Sequence, residues 1–316
     1  MIETKKAQIS ISGKNVELHQ VLGKAEQNIL EQMKNLALDE HPKFRLPAPN
    51  PVSIERADIK KLKTKKYVIA EKTDGVRFVM FCTVLDDLKI CSIVDRAGSV
   101  FLLPLRRIPR VLFQGSIVDG ELTVDKQGVS TFVIFDAVVV SGITISHLNL
   151  ADRLVYTSRA FKEFRADPKD PAAIVFKKWI LLDAIDAKER LAKAEKKFMC
   201  DGVVLMPVDS AVVYGRHFEM YKLKPSGTHT VDFIVMDARG TIGVYDYDNK
   251  QNVAICYIDM TEKLFLIGTI VECSYEHGTW KALHARIDKN QANDLLTYQK
   301  TLRNIAENIS VDELFL

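Results

Sequence analysis

The residues with the clearest capacity for chemistry lie in Tyr67-Val-Ile-Ala-Glu-Lys72-Thr73-Asp74-Gly75-Val-Arg77. A strand delivers a lysine into a turn, Gly75 lets the backbone fold tightly, and Arg77 re-enters on the next strand. A lysine amine attacks a phosphorus centre only when unprotonated, so it needs cationic neighbours or a metal ion to lower its pKa. By itself, Lys-x-Asp-Gly-x-Arg is equally the pattern of an ordinary turn with a solvated lysine. Further chemistry-bearing segments follow in order: Asp119-Gly-Glu121 after one strand, Phe135-Asp136 on another, and Asp201-Gly202 opening a third. Tyr221-Lys222-Leu-Lys224-Pro225 puts two lysines on one strand face, because strand side chains alternate with period two. Trp280 and the run Arg286-Ile-Asp288-Lys289 come last.

The elements that must position these residues are legible from periodicity. Leu18, Val21, Leu22, Ala25, Ile29, Leu30 and Met33 predict a helix over 15–37. Pro47, Pro49 and Pro51 forbid helix or central strand and predict an extended loop over 46–53. Strands are predicted at 67–71, 77–84, 89–95, 116–119, 121–125 and 131–140, with turns at Asp86-Asp87 and Arg96-Ala-Gly98 that favour antiparallel neighbours. Helical periodicity returns at 148–165 and 183–198, and strands at 202–206 and 218–224. Pro225-Ser-Gly-Thr228 is the best boundary, dividing a domain of residues 1–228 from one of 229–316. Beyond it, strands at 231–237, 240–247, 252–257, 264–267 and 269–275 predict a small barrel of the OB type, closed by a helix at about 290–308 bearing Ala292, Leu295, Leu296, Leu302 and Ile305.

Composition narrows the classes. The 316 residues are 47% hydrophobic and 27% charged, which supports a full core and excludes disordered and collagen-like chains. No apolar run approaches the roughly 20 residues of a membrane span, and the N-terminus has no apolar leader, so a soluble intracellular protein without membrane partners is expected. Five scattered cysteines without a C-x-x-C pair, and seven histidines without a metal-binding spacing, argue against disulfide and zinc frameworks; Cys273 and His277 read as structural. No serine-hydrolase elbow or P-loop occurs. Residues 229–316 hold 8 basic against 13 acidic residues, leaving 36 against 28 in the first 228, so an anionic ligand is expected on the first part. The run Lys60-Lys-Leu-Lys-Thr-Lys-Lys66 is similar to a nuclear-import or RNA-contact stretch, but reads first as a solvated helix or loop face.

The ordered set resembles the covalent nucleotidyltransferase superfamily of DNA ligases, RNA ligases and mRNA capping enzymes, and within it the guanylyltransferase branch of capping enzymes. Three features carry the branch: the Pro-Val-Ser53 segment before the lysine, Thr73 in Lys-Thr-Asp-Gly-x-Arg, and Thr230-Val-Asp-Phe233 with Trp280, Arg286, Asp288, Lys289 and Asn293. Ala48 departs from the family's usual glycine. The resemblance runs from about residue 44 to 295. It implies an α+β fold, with an antiparallel-sheet nucleotidyltransferase domain (ATP-grasp-like, as in ligases) followed by an OB-fold β-barrel domain.

The resemblance also implies roles. Lys72 would attack the α-phosphate of GTP, expel pyrophosphate and hold GMP for transfer to diphosphate-ended RNA. Lys222 and Lys224 would contact the α-phosphate. Glu121 and Arg77 would grip the ribose, Asp74 and Gly75 would belong to the nucleotide-binding set, and Phe135 would stack on guanine. Thr73 with Lys177, or Lys178 in its place, would meet the base edge. Asp201 would hold Mg²⁺ or Mn²⁺, assisted by Asp136, and Arg96 would lie near the phosphates or the RNA end. Arg286, Asp288 and Lys289 would serve the β- and γ-phosphates by closure of the second domain. The implied partners are GTP, RNA, an RNA triphosphatase and a cap guanine-N7 methyltransferase acting in trans, and the tail of RNA polymerase II, although no docking segment for that tail is identifiable. Nuclear residence follows from such a task; a viral or cytoplasmic-parasite source would make it cytoplasmic. The alternatives are an ATP-dependent RNA or DNA ligase, separable by nucleotide, and a non-catalytic RNA- or cap-binding relative. The intact lysine set speaks against the latter.

Overall fold

The computed structural model describes residues 2–11, 13–194, 197–225, 227–261, 263–287 and 289–315. The chain divides into two compact units, one of residues up to Val52 with Leu62–Lys222, the other of Ser53–Lys61 with Leu223–Leu314. Along the chain, β1 (Thr4–Ile11), β2 (Lys14–Val21) and α1 (Gly23–Leu36) are followed by β3 (Pro49–Ser53), α2 (Ile59–Thr64), β4 (Tyr67–Thr73), β5 (Val76–Leu85), β6 (Leu88–Val94), β7 (Val100–Leu102), β8 (Ser116–Val124), β9 (Ser130–Val140) and β10 (Ile143–Thr144). Then come α3 (Leu150–Ala160), β11 (Ala173–Phe176), β12 (Ile180–Leu181), α4 (Ala187–Ala194), β13 (Cys200–Pro207) and β14 (Gly215–Leu223).

The first unit is built on two sheets. A nine-stranded sheet runs β1-β2-β7-β6-β5-β8-β9-β10, with β11 added parallel to β9; a five-stranded sheet runs β12-β4-β13-β14-β3. Alternation along β5 explains why the large sheet is covered on both faces. Phe78 and Met80 enter one buried cluster with Val118, Phe132 and Ile134, while Val79 and Phe81 enter another with Ile29 and Met33 of α1. The Asp74-Gly75 turn carries the chain from β4 in the smaller sheet to β5 in the larger.

Several expectations are corrected. The single helix over 15–37 is a strand followed by a helix: Lys14–Val21 pairs with β1, Val16 and Leu18 facing the core at a spacing of two, and Gly23 at φ +63 separates it from α1. The proline-rich loop contains β3, which the sequence excluded only from central positions; it lies at a sheet edge, where a missing N–H is tolerated. The two strands at 116–119 and 121–125 are one, β8, because a side chain at Gly120 would meet the Phe132 ring at 2.5 Å, and glycine there lets the neighbouring strand pack close.

In the second unit, β15 (Thr230–Val235), β16 (Thr241–Asp246), β17 (Gln251–Tyr257), β18 (Ile270–Glu276) and β19 (Thr279–Ala285) precede α5 (Leu295–Glu307). The strand order is β17-β16-β15-β18-β19. The anticipated OB-type domain is a five-stranded antiparallel sheet, in which no ladder joins β17 to β19 among the described residues. Its apolar side is covered by α5, whose Leu295, Tyr298, Leu302 and Ile305 pack on Phe233 and Trp280. The ring centroids of Phe233 and Trp280 are 5.0 Å apart and edge-on, a geometry that adds about 0.5–1.5 kcal/mol beyond area burial. The strand expected at 264–267 is irregular, with Leu264, Leu266 and Ile267 exposed, and the fifth strand is β19, reached through His277-Gly278 at positive φ. The segment 53–61 is held to α5: Asn304 Nδ2 donates to the Ile54 carbonyl at 2.8 Å, and Arg56 N and guanidinium donate to the Glu307 side chain and carbonyl.

Candidate active site

Lys72 sits near the end of β4, and its Nζ donates to Asp201 Oδ1 at 2.7 Å, both side chains about one quarter exposed. A bulge brings the carboxylate there. β13 pairs Cys200 with Thr73 and Val203 with Glu71, so Asp201 and Gly202 together oppose the single residue Lys72. Gly202, at φ +139, takes the backbone conformation that an ordinary residue resists. The turn after Lys72 is fastened on two sides: Asp74 N donates to the Met199 carbonyl at 2.8 Å, and Thr123 Oγ1 donates to the Asp74 carbonyl at 2.7 Å. Gly75 is required by proximity, since a Cβ there would stand 2.6 Å from the Leu122 carbonyl oxygen and 2.8 Å from Glu121 Cγ.

Across the turn, β5 and β8 place Arg77 directly opposite Glu121, with Asp119 two residues along the same face. Arg77 is clamped by Asp119 (Nε–Oδ1 3.0 Å, Nη2–Oδ2 2.5 Å) and also donates to the Pro49 carbonyl at 2.6 Å, tying β3 to the site. Burial opposes its charge, but Asp119 outweighs burial and holds the guanidinium above the ordinary arginine range. The Arg77 guanidinium also lies 5.4 Å from the Phe135 ring centre. Phe135 is itself a bulge residue, skipped between the pairs Gly120–Ile134 and Asp119–Asp136, and its carbonyl accepts from Trp179 Nε1 at 3.0 Å. Burial pushes the Glu121 carboxyl up to about 7 against the opposing pull of Lys72, Lys177 and Arg77. Arg96, on the exposed turn after β6, lies in the field of Arg77, Asp119 and Glu121.

Lys177 rather than Lys178 points into the site. β11 lies parallel to β9, and the next residue, Lys177, continues that pairing through its N–H to the Ile134 carbonyl at 2.7 Å. Its Nζ then donates to Thr73 Oγ1 and to the Glu71 carbonyl, each at 2.7 Å, while Lys178 is exposed. Burial pulls the Lys177 ammonium below the usual lysine range, and Glu71 and Glu121 partly restore it.

Other anticipated residues lie elsewhere. Asp136 is not open to a metal ion: both carboxylate oxygens take Arg153 at 2.7 Å, and each partner is 1% exposed. Arg153 also donates to the Leu148 and Ser210 carbonyls. It is a structural tie that the sequence did not betray, because a lone arginine in a helix usually faces solvent. Removing one partner of so buried a pair costs about 3–5 kcal/mol. Lys222 lies on β14, and Lys224 directly follows the last residue of that strand. In the second unit, Arg286 Nη1 bonds Asp232 Oδ1 at 3.1 Å and Glu272 Oε2 at 3.3 Å, and Lys289 Nζ also bonds Asp232. Asp288 lies outside the described residues.

No cluster of three or more carboxylate, histidine or cysteine ligands exists among the described residues. Asp201 faces the lysine from a partly open position, which suits a divalent cation that takes one or two carboxylates and fills its remaining positions with water and phosphate oxygens. No helix among the described residues is long and apolar enough to cross a membrane.

Known proteins resemble this chain over most of its length. The model of the mRNA capping enzyme catalytic domain matches residues 11–226, and that of the mRNA capping enzyme C-terminal domain matches residues 228–315. The chain is 25% identical to the mRNA-capping enzyme subunit alpha of Kluyveromyces lactis, over 92% of this chain and 81% of that one. It is 23% identical to the same subunit of Saccharomyces cerevisiae, covering 92% and 82%. Against the mRNA-capping enzyme of Mus musculus the identity is 24%, covering 85% of this chain and 49% of that one. A mycobacterial DNA ligase D complexed with ATP and MES aligns structurally at TM-score 0.45 and 13% identity, covering 76% and 93%. The chain is a nucleotidyltransferase of the mRNA capping enzyme family.

Proposed function

We propose that this chain is a GTP:RNA guanylyltransferase, moving GMP from GTP through a lysyl-GMP intermediate on Lys72 to the 5′-diphosphate end of RNA and so forming the GpppN cap. The observation that carries this reading is the nucleophile's setting: Lys72 2.7 Å from a carboxylate, on the strand that also bears Thr73, which is hydrogen-bonded to Lys177. In the first step Lys72 Nζ yields a proton, for which Asp201 is the nearest acceptor. The freed amine then forms the P–N bond as the bond from the α-phosphorus to the bridging oxygen breaks and pyrophosphate leaves. In the second step an oxygen of the RNA terminal phosphate attacks the same phosphorus, the P–N bond breaks, and Lys72 recovers its proton.

The other residues act on charge and orientation. Lys222 and Lys224 neutralise the α-phosphate. Arg77 and Glu121, opposed across two strands, hold the ribose, and Phe135 offers its ring to the base. Thr73 and Lys177 read the guanine edge. Asp201 would also hold Mg²⁺ or Mn²⁺, which when bound supplies charge neutralisation at the phosphates. Arg286 and Lys289 neutralise the leaving pyrophosphate, with Asp288 as the third member of that motif, which requires the second unit to close on the nucleotide during that step. An RNA triphosphatase acts before this enzyme and a cap guanine-N7 methyltransferase after it, in the nucleus and close to the RNA polymerase II tail.

Incubation with α-³²P GTP, and separately ATP, plus a divalent cation, followed by denaturing electrophoresis, tests the proposal. A band with GTP alone, acid-labile and missing from Lys72→Ala, is the expected result. A band with ATP alone would assign the chain to ligase chemistry.

A further inference from the structure

Glu71 is 6% exposed and stands beside the nucleophile, yet its Oε2 is buried without a hydrogen-bond partner among the described residues. An unsatisfied carboxylate oxygen in that position costs free energy unless a ligand supplies a donor. The surroundings define what that donor would be. Glu71 and Thr73 are two apart on β4, so their side chains leave on the same face. Lys177 Nζ rests between them, at 2.7 Å from Thr73 Oγ1 and 3.8 Å from Glu71 Oε1. The wall therefore presents a cationic donor beside an anionic acceptor. Guanine offers the complementary edge: an acceptor, O6, next to two donors, N1–H and the 2-amino group. Adenine offers the reverse order at the first two positions, a donor amine followed by the N1 lone pair. The lone pair would face a carboxylate, and the amine a lysine.

We propose that Glu71 is a specificity-determining residue whose carboxylate accepts from guanine N1–H and the 2-amino group while Lys177 donates to O6. The inference rests on the guanylyl-transfer reading above and assigns to this side chain the selection of guanine over adenine. A site built to pair a polar group rejects the analogue lacking it far more strongly than an apolar pocket can.

The test compares lysyl-nucleotide formation by the full chain with α-labelled GTP, ITP and ATP, in wild type and Glu71→Gln. ITP keeps O6 and N1–H but lacks the 2-amino group. Wild type should prefer GTP over ITP by about tenfold or more in kcat/KM, as expected for a charge-assisted hydrogen bond. Glu71→Gln should lower kcat/KM for GTP by about 10–100-fold and shrink the GTP-over-ITP preference to about threefold or less. Its melting temperature should stay close to wild type, because the carboxylate and amide are isosteric. A GTP-over-ITP preference that persists undiminished in Glu71→Gln overturns the inference, as does a wild type that uses both nucleotides equally. Where Glu71→Gln fails to fold, Glu71→Asp, which keeps the charge but shortens its reach, serves as the second variant and should likewise shrink the GTP-over-ITP preference. Absence of label from GTP in the wild type instead overturns the guanylyl-transfer reading itself.

Discussion

Two groups of cations stand in this molecule, one in each unit, and they are held differently. In the first unit three cations each have their own support: Lys72 on Asp201, Arg77 on Asp119, Lys177 between Thr73 and the Glu71 carbonyl. The supporting groups lie on paired strands or in bulges of those strands. In the second unit Arg286 and Lys289 follow the end of β19 and share one carboxylate, Asp232, with Glu272 assisting. The first arrangement fixes positions before any substrate arrives, as a group acting directly on the reacting atoms requires. The second keeps two cations on a common anion, from which the proposed polyphosphate substrate would draw them. A fixed group should matter in both half-reactions, and a stored group only in the one where its ligand is present.

Separating the half-reactions sharpens or breaks this contrast. Arg286→Ala should abolish lysyl-GMP formation while leaving GMP transfer from enzyme charged beforehand within a few-fold of wild type; loss of both would show that Arg286 is not a stored group. Asp201→Asn should slow both half-reactions by about 10²-fold, the usual scale for a positioned proton acceptor. Asp232→Asn should cost little in rate and about 1–3 kcal/mol in stability, since it removes a buried acceptor from two cations. Rates for Asp232→Asn as low as those for Asp201→Asn would erase the distinction.

A thermal measurement probes the fixed cluster without substrate. Burial raises the folded-state pKa of Glu121 from 4.5 to about 7, so the folded chain holds a proton that the unfolded chain releases. The stability this confers is fully present below the unfolded value and is lost as pH rises through the folded one. Between about pH 5 and pH 8 this group should lower the melting temperature, and Glu121→Gln should show a shallower fall. Identical slopes would remove Glu121 from the buried cluster. The smallest effect belongs to Trp179→Phe, which deletes the bond to the Phe135 carbonyl. About 1 kcal/mol of stability and a few-fold rise in KM for GTP are expected; a change in kcat at constant KM would place Trp179 in the chemistry rather than behind the base.

Much of the site could be read from the chain because its residues sit in short motifs whose internal spacing strand geometry preserves. Lys72, Thr73, Arg77, Glu121 and Asp201 were all visible in this way. What could not be read arises from register and from partners far away in sequence. The bulges at Phe135 and Asp201–Gly202 depend on how β9 and β13 pair, which no local pattern encodes. Arg153 took Asp136 out of the metal set through a contact from α3. Glu71 looked like the flank of a motif until its buried, unpartnered oxygen was seen. In the fold, Val21 and Leu22 extended the apparent helical period of α1 back across a strand, and the apolar run at 264–267 outweighed the less apolar hairpin arm of β19.

The separations along the chain in the first unit carry a last consequence, one of time. The support of Arg77 lies 42 residues downstream, that of Lys72 129 residues downstream, and Lys177 is 104 residues from Thr73. A chain emerging from a ribosome at about 5–20 residues per second thus displays Lys72, the proposed nucleophile, many seconds before Asp201, its proposed proton acceptor, exists. Until β13 docks beside β4, Lys72 is an ordinary lysine on an unfinished sheet. Under the proposed mechanism, reactivity is therefore withheld from nascent and truncated chains, and covalent labelling by nucleotide becomes a readout of completed folding as well as of catalysis.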